Sequence, residues 1–326
     1  MRIGWLKMSE VEVSVLCITY NHEKYIRDAL DSFLNQKTDF RYEILINDDC
    51  STDKTAEIIL EYKEKYGEII RPLLQTENQY SKGKSIIKDI LIPEAKGRYI
   101  AICEGDDYWT DRNKLQRQYD FMEKNPRFGL CVHNAELVNE RKERLGEVST
   151  CRKDTELTMR DVIVNGGDFI ATSSTFARMP RDKYIPMYFE ALTMDYTWQI
   201  FFASNGGAYC FKDAMSVYRI GGLGSWSSLE KTNFEAYKKR EINLYHQKCD
   251  MRKKFNECNC YKYTDYVEEA NIYDFVKCCV ATKNYKGLNG ENAKRYIKQM
   301  KGKEKLKYLC LMKCPFVFEV YKKLRR

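Results

Sequence analysis

The segment Gly97-Arg98-Tyr99-Ile100-Ala101-Ile102-Cys103-Glu104-Gly105-Asp106-Asp107-Tyr108-Trp109 decides the fold. Tyr99 to Cys103 is a short, wholly apolar run of the kind buried inside a parallel sheet. It ends in three carboxylates within four residues, followed at once by two aromatics. Carboxylates gathered at the end of a buried strand repel one another, and desolvating each costs several kcal/mol unless something compensates. A divalent cation facing a phosphate is one compensation. The other reading is a plain strand-to-helix turn, with Asp111 as N-cap of the helix that follows.

Working outward, the upstream half alternates between the two periods. Val11 to Ile18 is a β-branched, apolar run that breaks at Thr19-Tyr20-Asn21-His22, and a helix is predicted over about Glu23–Asn35, with Ile26, Leu30, Phe33 and Leu34 at helical spacing. Tyr42 to Ile46 reads as a strand closed by Asn47-Asp48-Asp49-Cys50-Ser51-Thr52-Asp53, then a helix from Lys54 to Tyr66, a strand from Glu68 to Leu74, a polar loop, and a helix over Ser85–Leu91 stopped by Pro93. Strand and helix in this rhythm predict a parallel sheet covered on both faces, whose ligands bind outside the carboxyl ends of the strands. All three polar clusters fall at that edge.

Downstream, a helix over Arg112–Lys124 stops at Asn125-Pro126, and Phe128 to His133 is a further strand. Glu136 to Leu157 is charged and poor in apolar residues, which predicts a surface excursion. Phe169–Phe176 reads as strand, Met194–Ser204 as helix, Ala208–Phe211 and Met215–Ile220 as strands, and Gly221 to Ser228 as a glycine-rich loop carrying Trp226. Beyond about Leu229 the chain becomes charged, helical and rich in Tyr and Cys, with helices predicted over Thr232–Asn256 and Thr264–Thr282. The expected division is an α/β domain over residues 1–230 and a helical, basic region over 231–326.

Composition narrows the function classes. A chain of 326 residues with 24 Tyr and an ordinary apolar share can bury a large core. Thirteen Cys at irregular spacing fit neither a disulfide scaffold nor a zinc ribbon, and only three His are present to complete a metal site, so the thiols are expected reduced. No apolar run reaches the roughly 20 residues of a transmembrane helix, and Met1 to Glu12 turns polar too early for a signal peptide. The expectation is a cytoplasmic protein. The net charge of +8 is concentrated in Lys301–Arg326, nine Lys or Arg against two Glu, interleaved with Leu306, Tyr308, Leu309, Leu311, Phe316 and Phe318. Such a tail reads either as a helix docked on the domain or as a peripheral contact with an anionic membrane, at the inner face of the plasma membrane. With no recognised nucleic-acid module, no nucleic-acid partner is expected.

A nucleotide-diphosphate ligand would use these clusters in turn. Tyr20 offers an aromatic face and Asn21 polar groups, although Asn21 reads equally as a cap; the Asp48-Asp49 pair precedes a helix as ordinary caps do, yet one carboxylate could accept the N3–H of a uracil-like base. Asp106 fits best as cation ligand, with Glu104 or Asp107 reaching ribose or a metal-bound water. VSVLCITYN, INDDCSTDKT and AKGRYIAICEGDDYW, in this order and spacing, resemble the family 2 glycosyltransferases with a GT-A fold, and within them the bacterial branch of surface-polysaccharide enzymes whose acidic motif ends in GDDYW. The likeness covers about Val11 to Ser227.

The resemblance implies an inverting transfer from a nucleotide sugar, a UDP-sugar first, to a glycan or lipid-linked acceptor. It implies Tyr20 and Asn21 at the nucleotide pocket, Asp49 toward the base, Asn78 and Lys84 in a loop against the donor, and Glu104 and Asp107 flanking Asp106, which would bind Mg²⁺ or Mn²⁺. Asp195, which on its own residues reads more readily as an N-cap, matches the family's general base. Arg219 belongs to a tract closing over the donor, and Trp109, Trp198 and Trp226 to the acceptor side. Two departures stand out: Glu104 where Asp is frequent, and Ile220-Gly221-Gly222 where many relatives carry a His after the Tyr-Arg pair. Weak cation affinity without nucleotide follows. Competing readings are a nucleotidyltransferase, which would want a glycine-rich basic loop where this chain has TYNHEKY, and a non-catalytic sugar- or nucleotide-binding module. A dehydrogenase is excluded because no GxGxxG follows the first strand.

Overall fold

The computed structural model describes residues 10–180, 185–186, 194–221, 233–314 and 316. They fall into two compact units, residues 10–186 with 194–221, and residues 233–316. Trp226 and the glycine-rich tract from Gly222 onward lie outside the described residues, as does most of the tail beyond Cys314.

In the first unit the β-branched runs form strands and the 3.6-period runs cover them. β1 (Val13–Thr19), β2 (Tyr42–Asp48), β3 (Ile70–Leu74) and β4 (Tyr99–Ile102) pair in parallel in the order β3-β2-β1-β4. Buried on both faces, β1 and β4 are apolar almost throughout, which is why they read without alternation. Helix α1 (Ile26–Leu34) lays Ile26, Ala29, Leu30 and Phe33 on the sheet with no exposure, each large side chain contributing about 1.5–3 kcal/mol. Helix α2 (Thr55–Tyr66) follows β2, while Ile86–Leu91, predicted as an α-helix, is a π-helical turn running into Pro93.

The second half of the sheet is mixed. After β5 (Tyr108–Trp109) and α3 (Lys114–Lys124) come β6 (Leu130–Val138), β7 (Arg144–Val148), β8 (Thr155–Leu157), α4 (Met159–Asn165), β9 (Phe176–Arg178), α5 (Met194–Ser204) and β10 (Ala208–Arg219). The sheet order continues β4-β9-β6-β10-β5, with β9 antiparallel to both neighbours and β10 parallel to β6. Three expectations are corrected. The charged stretch 136–157 is no simple excursion, because β6 runs on to Val138, β7 pairs with β6 and β8 pairs with β10; β7 is largely solvent-facing and so lacks an apolar signature. Phe169–Phe176 is not a strand: it forms two 3₁₀ turns, Gly167–Phe169 and Thr172–Ser174, and β9 begins only at Phe176. The two strands expected between Ala208 and Ile220 are one, with register shifts near Ala214.

The second unit's described part is helical: α6 (Phe234–Cys258), α7 (Thr264–Ala281), α8 (Glu291–Gln299) and α9 (Gly302–Lys313). Val276, Cys279, Leu288, Ile297, Tyr308 and Leu311 form its core. Arg252 of α6 is fully buried, donating to Asp274 Oδ2 at 2.7 Å and to Asn271 Oδ1 at 2.9 Å on α7.

Candidate active site

The carboxyl ends of β1, β2 and β4 bring the three polar clusters together. Asn21 takes a left-handed backbone (φ 55°), which Asn tolerates better than most residues. Its Oδ1 accepts from Thr52 N at 2.8 Å and its own N–H donates to Ser51 Oγ at 2.8 Å, while Ser51 N–H and hydroxyl both donate to Asp48. The first two clusters therefore interlock. Tyr20 stands 45% exposed beside them.

Asp49 is only 2% exposed, and its two carboxylate oxygens accept the backbone N–H groups of Gln79 (2.8 Å) and Tyr80 (3.1 Å). It is placed to hold the Asn78–Lys84 loop, because a carboxylate buried this deeply needs N–H donors. Asn78 completes the attachment, donating to the Asp49 carbonyl and accepting from Ser81 N. Lys84 is exposed on this loop.

The acidic turn is shaped by Gly105, where an added Cβ would lie 2.8 Å from Thr19 Oγ1 and 3.0 Å from His22 Nδ1. Asp106 is the member that reaches outward, a third of its side chain exposed, with His22 Nε2 4.0 Å from its Oδ2. Asp107 is fully buried; Arg219 N donates to its Oδ1 at 2.8 Å, and its Oδ2 has no hydrogen-bond partner among the described residues. Burial first, then the Asp106 and Glu104 charges, push the Asp107 carboxyl well above its usual range. Burial, then Asp106 and Asp195, do the same to Glu104. Each of these two carboxyls therefore favours its protonated form until a positive charge stands beside the turn.

Arg219 is 5% exposed and committed to the protein: Nε donates to the Asp106 carbonyl at 2.8 Å, Nη2 to Asp28 Oδ2 at 3.0 Å, and the guanidinium lies over the Tyr25 ring at 4.6 Å. These contacts clamp the acidic turn to α1. Asp195 is exposed in the first turn of α5, and Thr172 Oγ1 donates to its Oδ2 at 3.2 Å. With Glu104, Thr172 and Trp198 it lines a cavity of about 20 Å³. Trp198 is 2% exposed and stacked on Phe202. Trp109 is 4% exposed, packed on Phe33 at 4.6 Å, its Nε1 donating to Ser173 O at 3.0 Å. Both indoles sit in the core and neither presents an open face to an acceptor; a large apolar ring after a tight turn finds its greatest gain inside.

Among the described residues no three His, Cys, Asp or Glu side chains converge to hold a cation by themselves. Asp106, with the two crowded carboxyls behind it and His22 beside it, fits a hard cation whose remaining ligands would be oxygens supplied by a bound diphosphate and water. Sequence reasoning placed His22 in the first polar cluster without giving it a role, and passed over Thr172, Tyr25 and Asp28. Of these three only Thr172 carried a signal, the run of four hydroxyls Thr172–Thr175 in an otherwise apolar stretch.

An α/β sheet whose fourth strand ends in an acidic turn, with a second carboxylate brought to the same cavity, defines a GT-A fold. The mannosyltransferase PcManGT from Pyrobaculum calidifontis, solved with GDP-Man and Mn²⁺, superimposes with a TM-score of 0.53 at 16% identity, over 97% of this chain and 86% of that one. Residues 14–215 match the model of glycosyl transferase family 2, and the chain belongs to that family. An uncharacterised protein of Mycobacterium tuberculosis is 35% identical over 217 residues, 66% of this chain and 61% of that protein. The UDP-Glc:α-D-GlcNAc-diphosphoundecaprenol β-1,3-glucosyltransferase WfgD of Escherichia coli is 32% identical over 132 residues, 40% of this chain and 49% of that protein. The match thus spans less than two-thirds of these relatives' length.

Proposed function

We propose that the protein is an inverting, cation-assisted glycosyltransferase that moves a sugar from a nucleotide-diphosphate sugar to a glycan or lipid-linked acceptor in bacterial surface-polysaccharide synthesis. The observation that carries this reading is the meeting of Glu104, from the acidic turn, and Asp195, from α5, at one cavity beside Asp106. Asp195 takes the acceptor's hydroxyl proton as that oxygen bonds to the anomeric carbon; the bond from this carbon to the diphosphate oxygen breaks, and its electrons leave with the nucleotide. A bound Mg²⁺ or Mn²⁺, held by Asp106, would offset the charge developing on the leaving diphosphate. Tyr20 offers the base a ring face, Asn21 shapes the pocket by tying its two loops together, and Lys84 offers a cation to phosphate or sugar. Asp49, Asn78 and Arg219 support that pocket, and Glu104 and Asp107 flank Asp106, where a bound cation would favour their charged forms. The WfgD name supports a UDP-sugar and a lipid-linked acceptor, and PcManGT supports the metal.

The test is a panel of nucleotide sugars with Mn²⁺ or Mg²⁺, following nucleotide release. UDP-sugar cleavage is expected. Asp106→Ala is expected to abolish metal-dependent nucleotide binding by calorimetry, and Asp195→Asn to spare binding while stopping transfer. Pyrophosphate release from a sugar phosphate and nucleoside triphosphate would favour a nucleotidyltransferase instead. Nucleotide binding with no turnover, unaltered by Asp195→Asn, would favour a binding module.

Peripheral membrane contact through the basic tail belongs to the same proposal. Helix α9 buries Tyr308 and Leu311 but leaves Leu306 64% exposed amid lysines, and Phe316, beyond the end of the helix, is 79% exposed; among the described residues no helix is long and apolar enough to cross a membrane. Leu306→Glu with Phe316→Glu is expected to reduce sedimentation with anionic vesicles; equal binding would dismiss the contact.

A further inference from the structure

We propose that Thr172 is the positioning residue of Asp195, and that the turn carrying it fixes the base relative to the acidic segment. This rests on the reading of Asp195 as general base. Asp195 is exposed in the first turn of α5, where a hydrogen bond to one carboxylate oxygen narrows the rotamers open to it. A base must present one oxygen to the acceptor hydroxyl within hydrogen-bond reach, and misplacement by about 1 Å can cost about a hundredfold. The Thr172 hydroxyl, 3.2 Å from Asp195 Oδ2, restrains the other oxygen.

What makes this restraint effective is how the turn itself is held. Ser173 O accepts from Trp109 Nε1 at 3.0 Å, and Ser174 O from Gln118 Nε2 at 3.0 Å. Thr175 O accepts from Ile102 N at 3.1 Å, and the Ser173 and Ser216 hydroxyls meet at 3.0 Å. Residues 172–175 are between 0 and 8% exposed. Ile102 lies two residues before Glu104, and Trp109 two residues after Asp107. The two flanks of the acidic turn are thus bonded to the same short turn that holds the base. The carbonyls of residues 173–175, with the Thr172 and Ser173 hydroxyls, thus make the turn a bracket between the acidic segment and Asp195. Trp109, buried and away from any acceptor, acts in this bracket.

The full-length chain is compared with Thr172→Val, Thr172→Ser, Asp195→Asn and the Thr172→Val/Asp195→Asn double variant. The readouts are UDP release from UDP-glucose and UDP-N-acetylglucosamine, UDP binding with Mn²⁺ by calorimetry, and crystal structures with UDP and Mn²⁺. Thr172→Val is expected to lower kcat about tenfold or more, with donor KM and UDP affinity within about twofold of wild type. Thr172→Ser restores most of the rate, and Thr172→Val adds nothing to Asp195→Asn. In the crystals the Asp195 rotamer changes or spreads in Thr172→Val. Turnover within about twofold of wild type in Thr172→Val, with Asp195→Asn inactive, overturns the positioning role and leaves the base intact. Wild-type turnover in Asp195→Asn removes the base and the inference together. Loss in Thr172→Val that comes with weakened UDP binding, or that serine does not restore, marks a merely structural threonine. An unchanged Asp195 rotamer in Thr172→Val overturns the inference even where no donor is cleaved.

Discussion

At the scale of residues, Arg219 ties the acidic turn to the helix beside it. Its three attachments, to the Asp106 carbonyl, to Asp107 through its own backbone and to Asp28, make the acidic turn part of the α1 layer. Arg219→Ala removes the guanidinium's two bonds to part-buried acceptors, the Asp106 carbonyl and Asp28, so a loss of about 1–3 kcal/mol is expected in urea unfolding. Metal-dependent UDP affinity should fall with it although every acidic side chain remains. Lys114 gives a different residue-scale expectation. It is fully buried, donates to Gln118 Oε1 at 2.8 Å and lies 4.1 Å over the Trp109 ring; burial lowers its pKa to about 7. Between that value and the ordinary lysine range the unfolded chain holds a proton that the folded chain does not, so this group's contribution makes stability rise with pH. Below about pH 7 both states are protonated and the contribution is flat. Lys114→Met should therefore remove part of the gain in unfolding free energy between pH 6 and pH 9, measured as the difference between variant and parent. Asp49 and Arg219 were visible in the sequence as polar groups at the right edge. Their partners, chiefly backbone N–H and C=O groups, leave no trace in side-chain identity.

Elements were legible where one period dominated. β1, β2 and β4 are buried on both faces and read directly from β-branched runs; α1 and α5 read from their apolar spacing. The failures have physical causes. β7 is exposed and charged, so it resembles a loop. The apolar run 169–176 satisfies a strand pattern, yet its hydroxyl-bearing residues bond locally and to Trp109 and Gln118, which favours 3₁₀ turns. β5, two residues long, is set by its antiparallel pairing with Ser216 and Val217 and has no local signal. In the helical unit, α6 and α7 are joined by the buried Arg252–Asp274 pair, with Lys248 3.8 Å from the same carboxylate. Asp274→Ala strands a buried guanidinium and should cost about 3–5 kcal/mol in denaturant unfolding. Arg252→Met combined with Asp274→Leu should recover most of that loss, a non-additivity that a double-mutant cycle would register.

For the molecule as a whole, the parallel half of the sheet and the three polar clusters at its edge were open to a reader of the sequence, because strand ends and loop composition are local properties. The order β4-β9-β6-β10-β5 was not, since an antiparallel strand inserted between two others depends on contacts distant in the chain. Nor was the cavity shared by Glu104 and Asp195, ninety-one positions apart. That cavity has an optical consequence. Trp198 forms part of its wall while Trp109 lies behind the bracket, and an indole's emission depends on the charges and water around it. Adding UDP and Mn²⁺ should change the steady-state fluorescence of the full-length chain, and Trp198→Phe should remove most of that change while calorimetric binding persists. A signal unaffected by Trp198→Phe would assign it to another indole. Binding could then be followed by light, in a stopped-flow instrument, before either the sugar or its acceptor is known.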